Sequence, residues 1–246
     1  MPGEKIAICM PIFNEGSGIT EFLNEIHDQF QSYKVAFYLI DDFSNDSTEV
    51  VLQELALRLP ISYRRNERNL GHGPSTLRAL KYALTSGSDF ILAVDGDGQF
   101  HAHEMKLLAE RTIQSQSDIG LGVRVRTNEP AYRKFTSWVT RMIVNIKAKG
   151  RTLDANTPLR FYPRHSLESL LVDLENDNPI PNLCISAKVR KSNFKIETLK
   201  VEFCARRGDV SESVSWGRSL FNLPSKRFLK FCFKSIRYWI KKSNAF

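Results

Sequence analysis

The chain has 246 residues, 42% of them hydrophobic and 25% charged, with a formal net charge of +8. This is the make-up of an ordinary globular protein long enough to bury a substantial core, and it excludes a disordered or fibrous chain. No run of eighteen apolar residues occurs and Met1 to Ile8 lacks the layout of a signal peptide, so neither a transmembrane helix nor a secretory leader is expected. The first hundred residues alternate between two periods. Ile6 to Ile12 reads as a strand, Asn14 to Gly18 as a loop, and Ile19, Phe22, Leu23, Ile26 and Phe30 recur at helical spacing. Val35 to Ile40 is a second strand that ends at Asp41-Asp42. Asp46 or Ser47 then opens a helix whose apolar face takes in Val50, Val51, Leu55 and Leu59. Ile61 to Tyr63 is a short strand, the Gly71/Gly73 loop leads into a helix through Leu84, and Phe90 to Val94 is a fourth strand. Beyond residue 100 the pattern predicts a helix over 104–114, a strand at Ile119 to Val123, a long helix over about 131–149 and a late strand from Phe194 to Phe203. Such alternation predicts a mostly parallel α/β sheet covered by helices on both faces, with the ligand beyond the carboxyl ends of the strands.

Charge is unevenly placed. After Glu212 the chain carries eight basic residues and no acidic one, which leaves 27 of each sign before it. The tail therefore seeks an anionic partner. The four cysteines, Cys9, Cys184, Cys204 and Cys232, are too widely spaced for a zinc motif or a disulfide framework, and a reducing cytoplasm is the expected compartment.

The segment Val94-Asp-Gly-Asp-Gly-Gln99 carries the strongest chemical signal. Two carboxylates, Asp95 and Asp97, at a strand's end offer hard oxygen donors suited to Mg²⁺ or Mn²⁺, which can neutralise a diphosphate leaving group. Gly96 and Gly98 let the backbone turn and let a ligand approach closely. By itself an Asp-x-Asp pair is also an ordinary strand-end turn. Asp41, Asp46 and Thr48 read first as turn and cap residues. His72, His101 and His103 lie near these loops without forming a catalytic pattern, and no nucleophile elbow occurs.

Met10-Pro-Ile-Phe-Asn-Glu15, Ile40-Asp-Asp-Phe-Ser-Asn-Asp-Ser-Thr48, Asn69-Leu-Gly-His-Gly73 and Val94 to Gln99, in this order, resemble glycosyltransferase family 2. The nearest branch resembles the dolichol-phosphate mannose synthases and bacterial polyprenyl-phosphate glycosyltransferases. The likeness continues through Arg124, Arg133 with Ser137, Asp154-x-x-Thr-x-x-Arg160-x-Tyr162 and Arg206-Arg207-Gly208, over roughly residues 5–211. It implies a GT-A-like, Rossmann-like catalytic domain over 1–212 followed by a basic amphipathic tail over 213–246. It implies inverting transfer from a nucleotide-diphosphate sugar, the donor being held by Pro11, Asn14, Glu15, Asp42, Asn69, Gly71 and Asp95. Asp95, Asp97 and Gln99 would ligate the metal. Asp97, Asp154 and Arg124 would stand at the reacting centre. Phe43 replaces the family's usual glycine, so that turn is expected to be built differently.

A polyprenyl-phosphate acceptor would need cationic partners, and Arg124, Arg133 and Arg207 with Ser137 would supply them. Its second ionisation falls near pH 6, so the attacking oxygen needs no strong base. A saccharide hydroxyl would need one, and Asp154 is the candidate. From Pro224, the residues Lys226, Lys230, Lys234, Arg237 and Lys241 form a basic stripe. Leu229, Cys232, Phe233, Ile236 and Ile240 line the other side, flanked by Phe228, Phe231, Tyr238 and Trp239. This suits an anionic membrane surface, placing the enzyme peripherally on the cytoplasmic face; a helix docked on the domain is the alternative, and nucleic acid is not expected.

Overall fold

In a computed structural model of the chain, the described residues are 3–125, 154–208, 233, 235 and 237–241. Seven strands make one sheet: β1 (Lys5–Ile12), β2 (Lys34–Asp41), β3 (Ile61–Arg65), β4 (Phe90–Ala93), β5 (Ile119–Val125), β6 (Arg160–Pro163) and β7 (Ile196–Glu202), in the order β3-β2-β1-β4-β6-β5-β7. Among the described residues these helices accompany them: α1 (Ile19–Gln29), α2 (Thr48–Leu55), α3 (His72–Leu84), α4 (Ala102–Gln114), α5 (Arg164–Leu171) and α6 (Pro181–Lys191). Pairing is parallel from β3 to β4 and between β5 and β7, while β6 runs antiparallel to both β4 and β5.

β1 is apolar from Ile6 to Ile12 because both of its faces are covered. Ile6, Ile8, Met10 and Ile12 belong to the core with Phe22, Leu23 and Ile26 of α1 and Met105 and Leu108 of α4. Ala7 and Cys9, small enough for close approach, join the opposite core with Leu77 and Leu80 of α3 and Ile185 of α6. The register sets Ile12 beside Asp41 and Cys9 beside Ala93. The loops leaving β1, β2 and β4 therefore emerge side by side, and this brings Asn14-Glu15, Asp42 and Asp95-x-Asp97 together.

The expected strands and the helices α1 to α4 are all present, with boundaries shifted by a few residues. Val50 is a correction: α2 buries Thr48, Leu52 and Leu55, and Val50 faces solvent. β6, α5 and α6 were not expected. The sequence before β6 is rich in turn residues, and β6 itself opens with a charge, Arg160, that is wholly buried. Its Nε donates to Thr157 O at 2.8 Å, and Nη2 lies 3.0 Å from Ala155 O, Asn182 O and Ser186 Oγ. These bonds make burial of the guanidinium tolerable. The helix expected over 131–149, with Arg133 and Ser137, lies outside the described residues, as do residues 209–232.

The tail carries a second correction. Trp239, 6% exposed, belongs to the same core as α3 and α6, and Tyr238 packs against it. Phe233 and Ile240, expected on the apolar face, are each 70% exposed. The described part of the tail therefore docks on the domain through Tyr238 and Trp239 and presents a different face outward.

Candidate functional site at the carboxyl edge of the sheet

Asp42 ends the β2 turn with its carboxylate fully engaged. Oδ1 accepts from Asn66 Nδ2 at 2.9 Å and Leu70 N at 2.8 Å, and Oδ2 accepts from Gly71 N at 2.8 Å. Gly71 has φ +92°, a conformation open to glycine, and this turns its N–H toward Asp42. The buried asparagine of this loop is Asn66, which also accepts from Arg78 Nη1; Asn69, singled out from the sequence, is exposed.

Asn14 and Glu15 are also bound into the loops. Asn14 N donates to Ser44 Oγ, its Oδ1 accepts from Asn45 N, and Glu15 N donates to Thr48 Oγ1. Asp46 accepts from Thr48 N and Gly16 N, and Asp41 Oδ1 accepts from Ser44 N and Oγ, as the turn reading expects; the capping part does not hold, since Ser47 is the N-cap of α2 without a side-chain cap bond and Thr48 Oγ1 accepts from Glu15 N instead. The carboxylate of Glu15, nearly buried, is ion-paired with Arg206. Pro11 lines a hollow with Thr76, Pro158 and Asp95.

Phe43 corrects a sequence expectation. It takes φ +67°, the left-handed conformation a glycine would supply, so the turn is kept rather than rebuilt. The residue is 45% exposed, and the Arg65 guanidinium stands 5.1 Å from its ring centroid. Arg65 also donates to Ser44 O at 2.7 Å, which holds the turn from the other side.

The Asp95–Gln99 loop differs in kind. Among the described residues neither Asp95 nor Asp97 pairs with a lysine or arginine. Asp95 has only His72 Nε2 at 3.6 Å, and Asp97 Oδ1 has only the Gln99 N–H at 3.3 Å. Burial first, and the neighbouring Asp95 charge second, push the Asp97 carboxyl up to about 7, with Arg124 pulling in the other direction. The side-chain nitrogen of Gln99 donates to Cys204 O at 2.9 Å, so any cation contact falls to its carbonyl oxygen. Two mutually repelling carboxylates and an amide oxygen form a hard donor set that fits Mg²⁺ or Mn²⁺.

Arg207, expected at an acceptor phosphate, braces this loop in the structure, and among the described residues its Nη1 has no hydrogen-bond partner. Its N–H donates to Asp97 O at 3.1 Å, Nε to Gly98 O at 3.3 Å, and its guanidinium pairs with Glu25 and lies 3.5 Å from Glu21. Burial works to raise the Glu25 carboxyl, but the Ala102 N–H and Arg207 outweigh it and hold it below its usual range. Gly98, at φ +68°, gives room to Arg207 rather than to a ligand, since a Cβ there would lie 2.6 Å from its Cδ. Arg124 and Asp154 form a fork: Nε to Oδ2 at 2.7 Å and Nη2 to Oδ1 at 3.0 Å.

The structure thus gathers Pro11, Asn14, Glu15, Asp42, Gly71, Asp95, Asp97, Gln99, Arg124, Asp154 and Arg207 along one edge. Sequence reasoning named no role for Arg206, Glu25 or Asn66. The first stood inside a quoted motif; the other two gave no signal.

The model of the family described as Glycosyl transferase family 2 matches residues 7–170. The chain is 26% identical over 187 residues to the undecaprenyl-phosphate 4-deoxy-4-formamido-L-arabinose transferase of Pseudomonas aeruginosa, covering 74% of this chain and 54% of that protein. It is 28% identical over 244 residues to the bactoprenol glucosyl transferase of Shigella phage SfV, covering 96% of this chain and 74% of that one. Several curated relatives are much longer, and the chain spans about half of their length. Among solved structures, a mannosyltransferase from Pyrobaculum calidifontis in complex with GDP-Man and Mn²⁺ superposes with a TM-score of 0.57 at 15% identity, over 84% of this chain and 58% of that one. At such identity the likeness speaks for the fold alone, and the fold is GT-A.

Proposed function

The chain belongs to glycosyl transferase family 2 and is a glycosyltransferase; on that premise we propose that it transfers a sugar, with inversion, from a nucleotide-diphosphate sugar to a polyprenyl phosphate. One observation carries the reading. Along the active edge Glu15 is tied to Arg206, Asp42 to backbone N–H groups and Asp154 to Arg124, while among the described residues neither Asp95 nor Asp97 forms an ion pair with a lysine or arginine: Asp95 faces His72, and Asp97 feels Arg124 only through its charge. The unsatisfied pair is where the positive charge of the reaction belongs.

Asp95, Asp97 and the Gln99 oxygen hold a divalent ion in this reading, Mg²⁺ or Mn²⁺, as expected from the sequence. When bound, it supplies neutralising charge for the departing diphosphate. Arg207 and Glu25 keep the loop in place before the donor arrives, so the carboxylates need not reorganise. Asn14, Glu15, Asp42 and Gly71 shape the pocket for base and ribose, with Pro11 and Asp95 on the diphosphate side; Asn69 lies at its rim.

The acceptor assignment follows from the same pairing. Both Asp154 oxygens accept from Arg124, so an acceptor hydroxyl would find no uncommitted base there. An ionised phosphate needs none. It attacks the anomeric carbon on the face opposite the diphosphate, and alignment supplies much of the rate. Arg124 stands near Asp97 as its cationic neighbour, and Arg133 with Ser137, outside the described residues, remain the proposed clamp on the acceptor. The names of the relatives, an undecaprenyl-phosphate transferase and a bactoprenol transferase, support a lipid-linked acceptor. The alternative remains a saccharide hydroxyl, with Asp154 released from Arg124 as base.

A lipid acceptor requires a membrane surface, and no helix among the described residues is long and apolar enough to cross one. Phe233, Arg237, Ile240 and Lys241 are exposed and spaced as one helical face, which suits peripheral binding to anionic lipid on the cytoplasmic side. Each cation near such a surface contributes about 1 kcal/mol, and high salt should release the protein.

The deciding measurement is release of nucleoside diphosphate from a donor panel with Mg²⁺ or Mn²⁺ present. Fast release is expected only when vesicles carry polyprenyl phosphate. Equal release with a soluble saccharide acceptor would establish the alternative.

A further inference from the structure

One side-chain cluster beside the site takes no part in the proposed reaction. His101 ends the carboxylate loop at the start of α4, and Glu202 and Cys204 lie at the end of β7. His101 Nε2 is 3.0 Å from Cys204 Sγ and 3.8 Å from Glu202 Oε2, and one ligand atom from each residue falls within 4.8 Å of the others. The two segments are already tied, with Cys204 N donating to Gln99 O at 3.0 Å and the Gln99 side chain, through Nε2, donating to Cys204 O at 2.9 Å. The Glu104 carboxylate accepts the Glu202 N–H, which fixes the end of β7 to α4.

We propose that His101, Glu202 and Cys204 form a second cation site, for a zinc-class divalent ion, that clamps the carboxylate loop to the end of β7. An imidazole, a thiolate and a carboxylate make a mixed N, S and O set, which selects Zn²⁺ over Mg²⁺. The ion coordinates through Cys204 Sγ, whose proton passes to solvent as it binds. Zinc–sulfur and zinc–nitrogen bonds of about 2.3 and 2.0 Å put the two ligand atoms roughly 3.5 Å apart in a tetrahedron, so the pair must open by about half an ångström. Glu202, three-quarters exposed, can close from solvent, and the fourth position is left for water. The Glu202 and Glu104 carboxylates add negative charge beside the thiol; burial first, and these charges next, raise the Cys204 thiol, so the ion must displace a firmly held proton. The expectation that no cysteine serves zinc considered short spacings, whereas His101 and Cys204 lie 103 residues apart.

This site stands independently of the sugar-transfer reading, because its donors are distinct from Asp95, Asp97 and Gln99. The test uses the full-length protein, titrated with Zn²⁺ against a chromophoric chelator and separately loaded with Co²⁺ for optical spectra. One equivalent of zinc is expected, with a thiolate-to-cobalt charge-transfer band and a higher melting temperature on loading. Cys204→Ser, and separately Glu202→Gln at its exposed side chain, should weaken binding, the first by at least about 100-fold, the upper range for loss of an outer-shell partner. Asp97→Ala should bind zinc as the wild type does. Binding undiminished in both variants, a cobalt spectrum without the sulfur band, or loss of the zinc to excess Mg²⁺ would overturn the proposal.

Discussion

Two acidic corners of the same sheet edge behave in opposite ways. At the end of β2, Asp42 receives three donors within 2.9 Å, two of them backbone N–H groups. At the end of β4, Asp95 and Asp97 receive almost nothing from the protein and repel one another, and the Asp97 carboxyl rises to about 7. Both corners read alike in sequence, as paired polar residues after an apolar run. At one corner the fold itself supplies the carboxylate's partners; at the other, among the described residues, it does not, and that is the corner to which we assign the proposed cation.

The largest test of that contrast is Asp97→Ala. Turnover should fall by about 10³-fold, the scale of losing one preorganised electrostatic contact at a reacting centre. The melting temperature should hold or rise, because the repulsion from Asp95 and the burial of the carboxyl outweigh the one long hydrogen bond lost, from the Gln99 N–H. A cooperative melt lost together with activity would make Asp97 a structural residue.

Asp42→Ala should show the converse. Removing an acceptor of three hydrogen bonds leaves buried donors unpaired, and about 3 kcal/mol of stability should be lost in denaturant unfolding. An unchanged midpoint would erase the distinction between the corners.

The third prediction concerns pH. Without metal, Asp97 is largely protonated below pH 7, and a cation must displace that proton. Affinity for Mn²⁺, followed by calorimetry, should therefore rise about tenfold per pH unit up to about 7 and then level. The folded state keeps a proton that the unfolded chain has already lost, so the linked stability is present below about pH 4 and is lost as pH climbs to 7. Asp97→Asn should flatten both slopes. A flat metal affinity in the wild type would show that the pair is not the ligand.

The smallest effect belongs to Phe43, beside Asp42. A non-glycine residue at positive φ costs about 1–2 kcal/mol, partly offset by the entropy glycine loses on folding. Phe43→Gly should stabilise the fold by about 0.5–1 kcal/mol in thermal unfolding, less the contact with Arg65. Destabilisation would mean that the Arg65–Phe43 contact outweighs the strain.

Much of this was legible in the chain because parallel strands buried on both faces must be continuous apolar runs. β1, β2 and β4 announce themselves in that way, and their ends place Asn14, Glu15, Asp42, Asp95 and Asp97 beyond the sheet. β6 was hidden by the physics that makes it stable: Arg160 looks like a surface residue until the carbonyls of Ala155, Thr157 and Asn182 converge on it. The tail misled for a related reason. Its helical period was visible, but Trp239 rather than Phe233 finds the core, and period alone ranks no apolar edge above another.

The α/β alternation, the family and the order of polar clusters along the carboxyl edge depend on local period and neighbouring residues, so the chain alone carries them. How the charges are partnered emerges only when distant segments meet. Glu15 and Arg206 stand 191 residues apart, Arg207 and Glu25 182, and Cys204 and His101 103. No local pattern encodes such pairs; they exist because the sheet brings the ends of β1, β4 and β7 to one edge, where Glu15 and Glu25 each meet an arginine and, among the described residues, Asp95 and Asp97 pair with no lysine or arginine.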